Sequence, residues 1–274
     1  MINISKLTFG YKRKQQLFED LELQLKAGSI YGLFGMNGAG KTTLLKLISG
    51  MLFPYKGTCL VNEKESGKRL PETLENIFVI PEEFELPSIK ISTFVDLHSP
   101  FYPRFDHQLF QKYLDELEIS NGKNLTTYSY GQKKKFLIAF GLATKTRILL
   151  MDEPTNGLDI PSKSQFRRIM ASISTEEQCV IISTHQVRDL ASIIDHVIVL
   201  DNGKIIFHKS TFDISEKLAF GKLKDDQKTD YLYAEEVLGG KAAIYKNSGQ
   251  HTDVDLELLF NAIIKETEII NNAI

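Results

Sequence analysis

Tryptophan is absent, cysteine occurs twice and proline eight times in the 274 residues. No apolar run approaches the roughly 18–20 residues that span a bilayer, so any membrane role has to come through a partner. Cys59 and Cys179 lie in separate apolar, strand-like runs without metal-ligand spacing. They read as buried thiols of a reducing cytosol rather than as a disulfide. Charge of one sign is also missing: 33 Lys and Arg face 35 Asp and Glu, a formal net charge of -2. Phosphate backbones are held by clustered cations, so the balance makes no case for nucleic acid. Residues Met1–Lys6 alternate like a strand and lack the apolar core of a signal peptide. There are no internal repeats, so any site occurs once.

What is present is the composition of an ordinary globular protein, with 42% hydrophobic and 25% charged residues. Ile2–Phe9 and Leu17–Leu25 alternate with period two and predict antiparallel strands. Short apolar runs at Ser29–Phe34, Ile77–Ile80, Arg147–Met151, Val180–Ser183 and Val197–Leu200 alternate with helical segments. Lys41–Ile48, Ser164–Ile173 and Val187–Ile194 are such segments, and the pattern is that of a parallel sheet covered by helices. Between Glu83 and Ala143 two helices are expected, Phe105–Leu117 and Gln132–Leu142, with no strand between them: a helical insertion. After about Ser210 no site-like feature remains. Lys222–Gly249 reads as polar and turn-rich, and Val254–Lys265 as an amphipathic helix.

Gly35-Met36-Asn37-Gly38-Ala39-Gly40-Lys41-Thr42 satisfies G-x-x-x-x-G-K-[ST] in full. Glycines there let successive backbone N–H groups curl around a phosphate, and a helix N-terminus adds a favourable dipole. Lys41 is placed to reach the β- and γ-phosphates of ATP, and the Thr42 hydroxyl to ligate Mg²⁺. Gly35, Asn37, Gly38, Ala39, Gly40, Lys41, Thr42 and the adjacent Thr43 are therefore the candidate phosphate-binding positions. The apolar run at Arg147–Met151 ends abruptly in Asp152 and Glu153. Alone, that acidic pair could be a solvated loop start. Joined to the phosphate loop, it supplies Asp152 for the metal and Glu153 to orient and deprotonate the attacking water.

Between these elements lies Tyr128-Ser129-Tyr130-Gly131-Gln132, and after them come Gly157-Leu158-Asp159 and Ser183-Thr184-His185. The order and spacing of the five motifs resemble the ATP-binding subunits of ABC transporters over roughly residues 1–210. The resemblance implies an α/β P-loop NTPase core with a mainly parallel sheet, an N-terminal antiparallel β subdomain and a helical subdomain inserted at about 84–143. Residues 211–274 then form a small C-terminal appendage. It also implies roles for single residues. Tyr11 looks like the aromatic that stacks on adenine, although an ordinary strand-end aromatic fits the residue too. Ser129, Gly131 and Gln132 look like the signature that reaches the γ-phosphate across a dimer; on residues alone, Ser129 fits a helix N-cap equally well. His185 looks like the switch histidine beside the general base, and Asp159 like the loop that communicates across the dimer. The other histidines show no constellation.

The chain departs from the family pattern in two ways. The signature has Tyr130 inside it and lacks an initial Leu, and Glu82 stands where a Gln commonly follows the strand at Ile77–Pro81. A carboxylate at 82 can still ligate Mg²⁺, which favours hard oxygen ligands. The run Lys133-Lys134-Lys135 reads as a solvated helix face. The implied function is an ATP-hydrolysing subunit, dimeric with itself or a second ATPase chain, that drives transport through a separate integral membrane subunit. Its expected place is cytoplasmic, peripheral on the inner face of the cell membrane. The altered signature and the C-terminal segment suggest the ABC-2 exporter type. A non-transport ABC ATPase or nucleotide-gated regulator is the alternative, against which stand the single nucleotide site, the lack of a long coiled coil and the absence of basic bias.

Overall fold

The computed structural model describes residues 1–12, 15–120, 122–173, 176–223, 230–250 and 252–274. His251 and residues 224–229 of the stretch expected to be turn-rich lie outside them. The chain begins with β1 (Ile2–Phe9), β2 (Phe18–Leu25), β3 (Ser29–Phe34), α1 (Lys41–Ile48), β4 (Lys56–Val61) and β5 (Lys64–Glu65). A short α2 (Pro71–Leu74) leads to β6 (Ile77–Ile80). Three helices follow, α3 (Ile91–His98), α4 (His107–Glu116) and α5 (Tyr130–Ala143). Then come β7 (Ile148–Asp152), α6 (Ile160–Ser172), β8 (Cys179–Thr184), β9 (His196–Asp201) and β10 (Lys204–Ser210). The chain closes with α7 (Thr211–Lys217), β11 (Leu218–Leu223), β12 (Tyr233–Val237), β13 (Gly240–Lys246), α8 (Leu256–Lys265) and α9 (Thr267–Ala273).

The central sheet has the order β10-β9-β3-β8-β7-β6. All its pairings are parallel except that of β10 with β9. A four-stranded antiparallel sheet, β2-β1-β4-β5, carries the N-terminal strands. Both expected sheets are thus present. Every residue of β7 and β8 is buried, as central strands covered on both faces require. Because side chains alternate across a strand, the period-two runs divide between two cores. Leu149, Met151, Val180, Ile182, Val197 and Val199 face the helical layer. Ile148, Leu150, Ile181, Ile198 and Leu200 face α1 and the antiparallel sheet.

The insertion between β6 and β7 contains no strand among its described residues, only an isolated bridge between Lys90 and Asn124. Its core is aromatic, with Phe94 edge-on to both Phe136 and Phe140 at 5.1 and 5.2 Å. Two expectations are corrected. Val187–Ile194 is not a helix: a single 3-10 turn spans Val187–Asp189, followed by turns. The backbone of Asp195 bonds Ile30 O at 2.8 Å and its carboxylate accepts from Ile30 N at 2.7 Å, which fixes the entry to β9 against the start of β3. The turn-rich stretch after Lys222 holds strands, in a three-stranded antiparallel sheet β11-β13-β12. The expected amphipathic helix is α8. Its Leu258, Leu259 and Ile263 join the same core as β7, β8 and α5.

The two cysteines are free and buried. Burial pushes the Cys59 thiol up to about 11 and that of Cys179 to about 12, so both behave as core thiols and not as nucleophiles.

Candidate functional site

Open parallel sheets place ligands in the crevice beyond the carboxyl ends of their strands. Four such ends converge here: β3 runs into the 35–40 loop, β7 ends on Asp152, β8 ends before His185, and β6 leads to Glu82. Between them lies a cavity of about 620 Å³, lined by Tyr11, Lys12, Gln15, Gln16, Leu17, Asn37, Gly38, Gly40, Lys41, Thr42, Thr43, Glu82, Asp152, Glu153 and His185.

The loop geometry explains its glycines. Gly40, at φ 109°, caps α1 in a left-handed conformation, and a Cβ there would meet the Phe18 ring at 2.8 Å. Gly38, at φ 83°, has open space on the cavity side. Gly35 lines the loop from behind, where a Cβ would run into Leu200 O at 2.4 Å. Ala39 is buried and its N–H bonds Met36 O at 3.1 Å.

Lys41 is 7% exposed and donates to the carbonyls of Gly35 at 2.8 Å and Met36 at 3.3 Å. Burial pulls its pKa below the ordinary lysine value, and the carboxylates of Glu153, Asp152 and Glu82 oppose that shift. Thr42 Oγ1 donates to Asp152 Oδ2 at 2.6 Å, and Ser183 Oγ donates to Asp152 Oδ1. Three carboxylates therefore share the cavity with two lysines, Lys41 and Lys12. The hydroxyl of Thr42 and the carboxylates of Asp152 and Glu82 make a hard-oxygen donor set, which suits Mg²⁺.

Glu153 is held from several directions. Its backbone sits at φ 44°, in the left-handed region that non-glycine residues seldom occupy. Glu153 N bonds Ser183 O at 3.0 Å, Thr184 Oγ1 donates to Oε2 at 2.8 Å, and Oε1 accepts from His185 N at 3.0 Å. His185 Nδ1 lies 2.7 Å from the same Oε1. A strained backbone conformation costs on the order of 1–3 kcal/mol and persists where its surroundings over-determine it, as these bonds do. Ser183 and Thr184 orient the two acids. Their signal in the sequence was a pair of hydroxyls closing an otherwise apolar strand.

Tyr11 is 64% exposed, its hydroxyl 3.0 Å from Thr43 Oγ1 and its ring edge-on to Phe9 at 5.3 Å. The remaining candidates lie outside the cavity. Ser129 caps α5 in a capping box: its Oγ accepts from Gln132 N at 3.2 Å, and Ser129 N donates to Gln132 Oε1 at 2.9 Å. Asp159 caps α6 by accepting from Ser162 N at 2.9 Å, and hydrogen bonding from Ser162 holds its carboxyl below the usual value. These two caps are neighbours, because a Cβ on Gly131 would meet Gly157 O at 3.0 Å.

Two further residues were not found by sequence reasoning. Asn156 Nδ2 donates to Glu82 Oε1 at 3.0 Å, and Gln186 Nε2 to Asn156 Oδ1 at 3.2 Å. Lys134 corrects the reading of the lysine run as a solvated face, since it is wholly buried. Its Nζ donates to Pro81 O at 2.9 Å and Glu82 O at 3.1 Å. Burial pulls its pKa down to about 8, opposed by Glu82, Asp152 and Glu153.

A family model described as "ABC transporter" matches residues 18–156. The methionine import ATP-binding protein MetN of Carboxydothermus hydrogenoformans is 32% identical over 215 residues, 73% of this chain and 63% of that protein. The ABC transporter ATP-binding protein YtrB of Bacillus subtilis is 28% identical over 192 residues, 69% of this chain and 65% of that protein. The chain thus spans less than two thirds of the length of either relative. Among solved structures, one described as the ATP-binding subunit of an ABC transporter superposes with a TM-score of 0.68 at 23% identity, over 78% of this chain and 91% of its own. A cassette dimer described as a post-hydrolysis state bound to ADP and Pi gives 0.68 at 20% identity, over 77% and 98%.

Proposed function

The chain belongs to the ABC transporter family, and from that premise we propose that it binds Mg²⁺-ATP in the cavity at the ends of β3, β6, β7 and β8, hydrolyses it, and drives transport through a separate integral membrane subunit. The observation that carries this reading is the convergence of Lys41, Thr42, Asp152, Glu153 and His185 on one cavity.

Each group has a part. The N–H groups of the 35–40 loop and Lys41 bind the phosphates. Lys41 spends two of its three N–H donors on the Gly35 and Met36 carbonyls, which leaves the third for phosphate. Thr42, Asp152 and Glu82 would hold Mg²⁺, which supplies charge neutralisation at the β- and γ-oxygens. Glu153 takes the proton of the attacking water. His185, with Nδ1 committed to Glu153, holds that carboxylate in place and has Nε2 for the substrate side. Ser129, Gly131 and Gln132 lie outside the chain's own cavity. We assign them to the cavity of a second ATPase chain, identical or not, in an ATP-dependent dimer, with Asp159 beside them at the same face.

Residues 1–210 are read as the ATPase unit, with the helical subdomain at about 84–143, and 211–274 as an addition to it. A relative named above is a methionine import protein, so the ABC-2 export reading rests on the altered signature and the segment after Ser210 alone. Among the described residues no helix is long and apolar enough to cross a membrane. That is consistent with a cytoplasmic chain held at the inner membrane face by its partner.

Tyr11→Ala should weaken ATP binding by on the order of 1–3 kcal/mol, the worth of a base–aromatic stack. Tyr11→Phe should stay near wild type, since the ring face and not the hydroxyl meets adenine. Calorimetric titration of the three proteins with ATP checks this, and equal affinity for Tyr11→Ala and wild type would remove Tyr11 from the site. For the partner, the chain is expressed in its native host and purified in detergent together with the integral membrane proteins it retains. It should then co-elute with one of them. Crosslinks confined to ribosomal or DNA-bound proteins would favour the non-transport alternative.

A further inference from the structure

The two departures from the family pattern, Tyr130 in the signature and Glu82 after β6, touch each other. Tyr130 Oη donates to the backbone carbonyl of Glu82. Its ring stacks on Phe84 with centroids 5.4 Å apart and planes 24° from parallel. On the other side it packs against Gly157, where a Cβ would come within 2.7 Å of the ring. One turn further along α5, Lys134 donates to the carbonyls of Pro81 and Glu82 and lies 5.4 Å from the centroid of the same Phe84 ring.

Packing alone does not call for a lysine there. Removing an ammonium from water costs several kcal/mol unless it is paired, and a Met or Leu would fill the volume without that penalty. What the ammonium adds is its bonds to two carbonyls, those of Pro81 and Glu82, and its place over the Phe84 ring. The Glu82 side chain is meanwhile held from the opposite side by Asn156 at 3.0 Å and lines the nucleotide cavity. Backbone and carboxylate of one residue are thus fixed by two different elements, α5 and the loop after β7.

We propose that Tyr130 and Lys134 are positioning residues that fix Glu82 at the nucleotide cavity, so that the three residues work as one unit. Both act through the Glu82 backbone and neither touches nucleotide in the same chain. The inference rests on the reading of the cavity as a Mg²⁺-ATP site.

The test measures Mn²⁺ affinity by electron paramagnetic resonance on the full chain with a non-hydrolysable ATP analogue. Variants are Tyr130→Phe, Lys134→Met, Glu82→Gln and each of the first two combined with Glu82→Gln. Groups that orient a metal ligand typically change metal affinity by 10–100-fold, so Tyr130→Phe should weaken Mn²⁺ by roughly tenfold. Lys134→Met should weaken it less, because loss of a cation near Glu82, Asp152 and Glu153 favours the metal. Metal-free analogue binding should stay within about twofold of wild type, because the 35–42 loop is untouched. In the Glu82→Gln background neither change should add to the loss, which is the mark of residues acting through one group. Wild-type Mn²⁺ affinity in Tyr130→Phe and Lys134→Met, or losses that multiply with that of Glu82→Gln, would overturn the proposal. Tyr130→Phe keeps the ring and its stacking, so it decides the matter if Lys134→Met does not fold. If wild type binds the analogue but no Mn²⁺ with it, the reading of the metal site fails instead.

Discussion

Glu153→Gln should lower ATP turnover by about 10²–10⁴-fold, the usual contribution of a general base, equivalent to about 3–5 kcal/mol of barrier. The amide keeps the size of the carboxylate and can still accept from His185 N, but it cannot take the proton of water at neutral pH. ATP affinity should stay within a few-fold, because Lys41 and the N–H groups of the 35–40 loop are unchanged. Single-turnover phosphate release and equilibrium ATP binding, measured on the same preparations, separate the two effects. A Glu153→Gln protein that hydrolyses ATP at the wild-type rate would reassign the base.

With hydrolysis blocked, ATP should convert Glu153→Gln from monomer to dimer on gel filtration, and Ser129→Arg added to it should abolish that dimer. Ser129 is exposed at the N-terminus of α5 and lies outside its own chain's cavity, which is where a residue completing another chain's site has to be. An arginine there puts bulk and an unmatched charge into the closing surface. Such a defect costs on the order of 3–5 kcal/mol, about 10²–10⁴-fold in dissociation constant. Ser129 also caps α5, so part of any loss could come from the helix. Ser129→Ala separates the two: it removes the cap, worth about 1 kcal/mol, without the bulk, and should reduce dimerisation less. Equal dimer formation with and without Ser129→Arg would place the signature outside the interface.

The phosphate loop was legible because its function is written in backbone conformation, and only glycine serves at Gly35 and Gly40. The central strands were legible because burial on both faces leaves unbroken apolar runs, as in β7 and β8. Lys134 was not. Three consecutive lysines look alike in sequence, and which one is buried depends on where Pro81 and Glu82 come to lie against α5. Val187, Leu190, Ile193 and Ile194 have helical spacing and all four are buried. A series of turns, closed by Leu190 N to Val187 O and Ile193 N to Leu190 O, buries the same four, and Asp195, tied to Ile30, follows directly after them. The hairpin from β12 to β13 carried a signal that the turn-rich reading absorbed. The two-residue loop is Leu238-Gly239, with Gly239 at φ 84° and Gly240, the first residue of β13, at φ 139°; glycine at such positive-φ turn positions is a hairpin signal.

Phosphate release from a stoichiometric complex decides whether this cavity hydrolyses ATP. The full chain is mixed with γ-labelled ATP and Mg²⁺ at concentrations where binding is complete, and aliquots are quenched in acid. Labelled inorganic phosphate should appear with time, require the metal, and be absent over the same interval from Glu153→Gln. Bound ATP that stays intact in the wild-type chain, in the presence of metal and with the dimer formed, would contradict hydrolysis at this cavity.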